Sequence, residues 1–175
     1  MCSICGCGEP GRRRVMVALR TPDNPEPDER ILQAAEDALA MAESWIGWDS
    51  GPSYSLGGAW TPHKIMRRIA DHMIDHICQI ECMSAGVPPV PDPWHGRAVS
   101  MASDWARFDE QDLDEASARI RRLAQVLAMR LCALRGEWDT DRGADWTIRK
   151  LGEHVAEATG VYATRMGRLT TRLVP

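Results

Sequence analysis

Residues 61–83 run TPHKIMRRIADHMIDHICQIECM. Ile65, Ile69, Met73, Ile77 and Ile80 recur every three or four residues, the spacing of one apolar face of an α-helix. Thr61 is a suitable N-cap, and Pro62 falls at the first helical position, where its missing N–H costs nothing. At about 100° per residue, His76 falls inside the apolar arc and His72 at its edge, while Arg67, Asp71 and Asp75 point the other way. Two imidazoles four residues apart share a helical face and come within reach of one ion. An inward-facing ring nitrogen is costly unless a metal or a hydrogen bond satisfies it.

The same periodicity extends on both sides. One helix is expected from about residue 28 to 48, carrying Ile31, Leu32, Ala35, Leu39 and Ala42 inward and ended by Gly51, Pro52, Gly57 and Gly58. A third, over about 112–135, has Leu113, Ile120, Leu123, Leu127, Leu131 and Leu134 inward and is closed by Gly136. A fourth is expected over about 147–169, with Leu151, Val155, Ala158, Tyr162 and Met166 as its inward stripe and His154 at the stripe's edge. The proline-rich connection over about 84–111 is long enough to be functional or to pack over one end. Four such helices predict an all-α, antiparallel four-helix bundle over residues 30–175. An extended cysteine-containing tail and linker, residues 1–29, precedes it.

Helices two and four open alike. Trp60-Thr61-Pro62-His63-Lys64-Ile65 parallels Trp146-Thr147-Ile148-Arg149-Lys150-Leu151, so the chain reads as two helix pairs related by a pseudo-two-fold. That symmetry brings His154 across from His72 and His76. Three neutral imidazoles with a fourth position left open are the pattern of a catalytic zinc site, and bundle interiors commonly house such sites. A preformed site requires ring nitrogens separated by no more than roughly twice the ~2.0–2.1 Å metal–nitrogen bond.

Trp146-Thr147 with His154 eight residues after the tryptophan, together with His72-x3-His76-x2-Gln79-Ile80, resembles the signatures of the DinB/YfiT-like superfamily over about residues 30–170. That resemblance implies a four-helix bundle with a divalent metal held by three histidines, or by two and a carboxylate. It also implies an activity such as group transfer or isomerisation using a low-molecular-weight thiol, or hydrolysis. The pattern is swapped here: the family's lone histidine usually lies on the second helix and its pair on the last. Arg68 occupies the position eight residues after Trp60, and Ala158 and Tyr162 stand where further histidines would fall. Glu153 and Glu157 are the nearest alternative carboxylates, though both lean toward solvent.

A second signal lies at the start of the sequence. Cys2, Cys5 and Cys7, spaced by Gly6 and Gly8, offer three thiolates within six residues, suited to a thiophilic ion such as nickel or zinc. The run Met1-Cys2-Ser3-Ile4-Cys5-Gly6-Cys7-Gly8 is similar to the nickel-binding N-terminus of the hydrogenase-maturation GTPases, but no phosphate-binding Gly-x4-Gly-Lys-Ser/Thr loop occurs. Two functions follow: a divalent-metal enzyme acting on a small-molecule substrate, or a metal-handling accessory protein that meets a partner protein. Self-association as a homodimer is left open.

The net charge of −4 argues against nucleic acid as a partner, which needs a basic face. No apolar run approaches the roughly 20 residues of a membrane span, and Val15 to Leu19 is too short for an export signal, so the reducing cytoplasm is the expected compartment. Cys78, Cys82 and Cys132 are expected as buried small hydrophobes, Trp60 and Trp146 as packing at helix starts, and His63 and His95 as exposed.

Overall fold

The computed structural model describes residues 25–49, 51, 53–55, 58–89, 98–143 and 145–169. Four α-helices carry the fold: α1 (Pro27–Ala42), α2 (Pro62–Ala85), α3 (Glu110–Ala133) and α4 (Ile148–Ala163). Each of α1 and α2 packs against both α3 and α4. The interior is filled by the periodic apolar residues, with Ile31, Ile65, Met73, Ile80, Ile120, Leu127, Leu131, Leu151 and Val155 all inaccessible to solvent. Among the described residues, no helix is long and apolar enough to cross a membrane.

The caps follow the sequence. Thr61 Oγ1 accepts from Lys64 N at 3.3 Å, and Thr147 Oγ1 accepts from Lys150 N at 3.2 Å, so the paired Trp-Thr-x-x-Lys openings start their helices in the same way. At α3 the Asp109 carboxylate accepts from the amides of Gln111 and Asp112, and Asp109 N donates in turn to Asp112 Oδ2 at 3.0 Å. These amide bonds hold the Asp109 carboxyl below its ordinary pKa. Gly86, at φ 67°, ends α2 in the left-handed conformation that a side chain resists.

Three boundaries differ from expectation. First, α1 stops at Ala42 and tightens into a short 3₁₀ turn, Glu43–Trp45, that buries Trp45. Second, α4 stops at Ala163 rather than near 169. Trp45 Nε1 donates to Gly167 O at 2.7 Å, drawing the chain back toward the end of α1. Third, the glycine-rich break contains a hairpin, β1 (Ser53–Ser55) paired antiparallel with β2 (Gly58–Trp60), which delivers Trp60 directly into the cap of α2.

The inward face of α4 is also wider than its predicted stripe. Gly152, Ala156 and Thr159 are buried while Ala158 is only half-buried, because α1 packs against this side. A Cβ on Gly152 would lie 2.9 Å from Leu131 Cδ1 and from Pro27 Cβ. The close approach of α4 to its neighbours therefore depends on having no side chain there.

Segment 98–105 folds back on α2 and changes the environment of residues that helical geometry alone leaves in solvent. Asp104, 1% exposed, takes a two-pronged ion pair from Arg67, with Nε donating to Oδ1 at 3.3 Å and Nη2 to Oδ2 at 2.7 Å; Met101 N donates to the same Oδ2 at 2.7 Å. Lys64 is wholly buried. Its ammonium donates to Ala59 O at 2.8 Å and Ser100 Oγ at 2.9 Å and lies 4.8 Å from the centre of the Trp60 ring. Burial lowers the Lys64 pKa.

Candidate metal centre

An unbroken α2 presents His72 and His76 one turn apart, and the facing α4 presents His154. The three rings meet edge to face, with centroids 4.5 Å apart for His72–His76, 5.0 Å for His72–His154 and 5.3 Å for His76–His154. Their Nε2 atoms converge. His72 Nε2 lies 3.1 Å from His76 Nε2 and 3.2 Å from His154 Nε2, and the three residues are close enough to hold one ion. Both separations fall inside the limit of roughly twice a metal–nitrogen bond.

Depth differs from what angle along the helix predicts. His72, placed at the edge of the apolar arc, is the buried member at 6% exposure, and His76, placed inside it, is half-buried. His72 lies deeper because Tyr162 of α4 covers it edge-on, at a centroid distance of 5.6 Å. Trp146 also departs from expectation. It does pack at its helix start, but 38% exposed and edge-on to His154 at 4.8 Å, so its indole walls the site. By contrast Trp60 is buried 5.8 Å from Tyr162.

The surroundings favour neutral imidazoles. Burial is the largest influence on all three and lowers each pKa. For His72, with further lowering from His76, Arg68 and His154, the value falls to about 3. Only a neutral imidazole offers a ring nitrogen lone pair to a cation. Orientation comes from Gln79, whose Oε1 lies 2.9 Å from His76 Nδ1. An amide oxygen accepts, so the His76 proton sits on Nδ1 and the lone pair of Nε2 is directed at the cluster, as second-shell partners of metal-bound histidines do. The helical spacing that places His76 in register also places Gln79 one turn on, which is the signal for it in the sequence.

Among the described residues, no carboxylate joins the cluster. Glu153 lies 3.9 Å from Arg30, and Glu157 is exposed, acting on His154 through its charge alone. Beside His154 a groove of about 270 Å³ runs along α4, lined by Glu157, Ala158, Val161, Tyr162 and Arg165. The described part of the 84–111 connection covers Lys64 and Arg67 near the start of α2.

Among the weaker candidates, Cys78 is exposed and Cys82 and Cys132 are half-buried, so the expectation of buried cysteines fails. Cys78 falls on the outward face of α2 with Ile74 and Glu81. His63 is half-buried, with Nε2 3.2 Å from Arg107 O and its ring edge-on to Phe108. Cys2, Cys5, Cys7 and His95 lie outside the described residues.

The depressed pKa of His72 predicts an acid-sensitive metal-free protein. An unfolded histidine takes up its proton as pH falls through about 6.5, whereas His72 in the folded chain resists until about 3. Stability therefore falls as pH is lowered across that window, by up to about 1.4 kcal/mol per pH unit from this residue. Urea midpoints measured between pH 7 and pH 4 should show a shallower acid loss in His72→Leu than in the parent. An identical slope would mean that His72 is protonated in the folded state.

No family model, no curated protein and no solved structure matches the chain, so the three-imidazole geometry is what its function must be argued from.

Proposed function

We propose that the chain is a divalent-metal-dependent enzyme built as an antiparallel four-helix bundle, with His72, His76 and His154 as the ligands. The carrying observation is the pair of Nε2 separations, 3.1 and 3.2 Å. Two nitrogens bound ~2.0–2.1 Å from a tetrahedral ion sit about 3.3 Å apart. Hydrogen bonding accounts for the triangle less well. With the His76 proton on Nδ1, His72 Nε2–H would have one proton to share between two neighbours. An ion in the triangle takes a lone pair from all three Nε2 atoms together and leaves the His72 proton on Nδ1, which is buried with no hydrogen-bond partner among the described residues.

Opposed directions of α2 and α4 support the antiparallel arrangement, since Trp60 at the start of α2 meets Tyr162 near the end of α4. Three neutral ligands suit zinc, and nickel is also compatible with imidazole. The bound ion would supply Lewis acidity, lowering the pKa of a water or thiol at the remaining position. His72, His76 and His154 hold it, Gln79 fixes the His76 tautomer, and Trp146 and Tyr162 limit water access around the rings. With the histidine pair and the lone histidine exchanged between helices, this arrangement accords with the DinB/YfiT-like resemblance, and with it the reaction is thiol-dependent group transfer or isomerisation, or hydrolysis, on a small-molecule substrate.

The test is metal content of the full-length chain beside a variant carrying Cys2→Ser, Cys5→Ser and Cys7→Ser. One zinc-like ion per chain should survive the triple replacement. Complete loss of metal in that variant would assign binding to the terminal cysteines and favour the accessory-protein function.

A further inference from the structure

Arg68 sits eight residues after Trp60, the place that His154 occupies after Trp146, so the pseudo-two-fold sets a guanidinium where the other half sets a ligand imidazole. The side chain is only 14% exposed, lies with Cζ 5.5 Å from the centre of the Tyr162 ring, and is near enough to depress the pKa of both His72 and His76. Its ion pair with Asp75 is loose: Nη1 lies 3.4 Å from Asp75 Oδ2, and Asp75 is 38% exposed. Such a contact contributes little. Arg68 Nε is buried with no hydrogen-bond partner among the described residues.

A largely desolvated cation beside a cation site is a liability unless something negative lies between them. Of the other acids, Asp71 on the same helix feels the Arg68 charge but makes its ion pair with Arg67, and Glu157 is exposed and acts on His154. Three neutral imidazoles leave the ion's charge uncancelled, so ion and guanidinium select the same kind of partner. A planar guanidinium matches a carboxylate in shape as well as charge. Resting on the metal centre proposed above, the geometry points to a small carboxylate-bearing ligand as the occupant of this site, held jointly by the ion and Arg68. The groove along α4 beside His154, lined by Tyr162, Arg165 and the exposed carboxylate of Glu157, has room for the remainder of such a molecule.

The experiment uses full-length chain with Cys2, Cys5 and Cys7 replaced by Ser, loaded with Co²⁺, so that visible d–d absorption reports the histidine site alone. Acetate is titrated, with chloride as the comparison anion. Acetate should perturb the spectrum at lower concentration than chloride. Arg68→Met should bind Co²⁺ at least as tightly, having lost a repelling charge, while its acetate affinity falls at least about tenfold. Arg68→Lys, which keeps the charge and loses the fork, should show a smaller loss and stands in should the methionine variant not fold. Equal acetate affinity in parent and variant, or chloride matching acetate, overturns the carboxylate assignment and leaves the metal centre standing. Failure of the parent to bind Co²⁺ overturns both.

Discussion

His76→Ala is expected to lower the affinity of the interior site for zinc more than about 100-fold, the upper range for merely removing a partner that orients a ligand. The variant keeps His72 and His154 but loses the imidazole that lies 3.1 Å from His72 Nε2 and is aimed by Gln79. Two nitrogens then replace three, and the ion must recruit water in compensation. Gln79→Ala should show the intermediate phenotype. All three ligands remain, the fixed tautomer of His76 is lost, and affinity should fall by about 10–100-fold. Competition with a chromogenic chelator gives both values. Thermal unfolding supplies an independent readout, because an ion at 100 times its Kd stabilises the folded state by about 2.7 kcal/mol. Zinc should raise the parent's midpoint and leave that of His76→Ala unmoved. A variant that retains the parent's affinity would sink the triad, even with the terminal cysteines intact.

Asp104→Ala is expected to cost about 3–5 kcal/mol, the largest stability effect of any single substitution considered for this chain. Asp104 is nearly inaccessible, and it answers three donors: two nitrogens of Arg67 and the amide of Met101. Removing it strands the Arg67 guanidinium, itself 17% exposed, with Asp71 at 3.9 Å the one acid left beside it among the described residues. Lys64, whose charged form Asp104 supports, is left less favourably placed as well. For a chain of this size that loss lowers the thermal midpoint by roughly 10 °C. Asp104→Asn should fall between, because it keeps an oxygen for Met101 N and surrenders the charge. Urea unfolding of the three proteins decides the matter. A change within about 0.5 kcal/mol for Asp104→Ala would show that the pair behaves as a surface contact.

Both predictions bear on how far sequence can carry such a protein. The number of helices and the convergence of His72, His76 and His154 were legible because they follow from angle along a helix, and the cap at Thr61 because its residue type suits a helix start. What lies over a helix face is set elsewhere in the chain. Arg67 was placed in solvent, correctly for its own helix, yet Asp104, 37 residues on, covers it. Likewise the greater depth of His72 over His76 depends on Tyr162, a residue of another helix. The hairpin at Ser53–Trp60 was hidden because its glycines read as a helix break, and three-residue strands are too short to display an alternating pattern. Trp146 was expected to pack at its helix start, as it does. Its contact with His154 was missed because the angle between a pre-helical residue and the helix depends on the approach of the chain, which periodicity does not encode.

The chain has two lysines, and the folded protein displays one of them: Lys150 is exposed, while Lys64 is sealed between the hairpin, Ser100 and Trp60. An amine-directed acylating reagent therefore finds a single lysine side chain on the native molecule, a convenient point for attaching a fluorophore or a surface tether away from the buried faces of the helices. The second lysine becomes reactive only when segment 98–105 and the hairpin part from α2. Its modification, followed by peptide mass mapping, is a built-in clock for that opening.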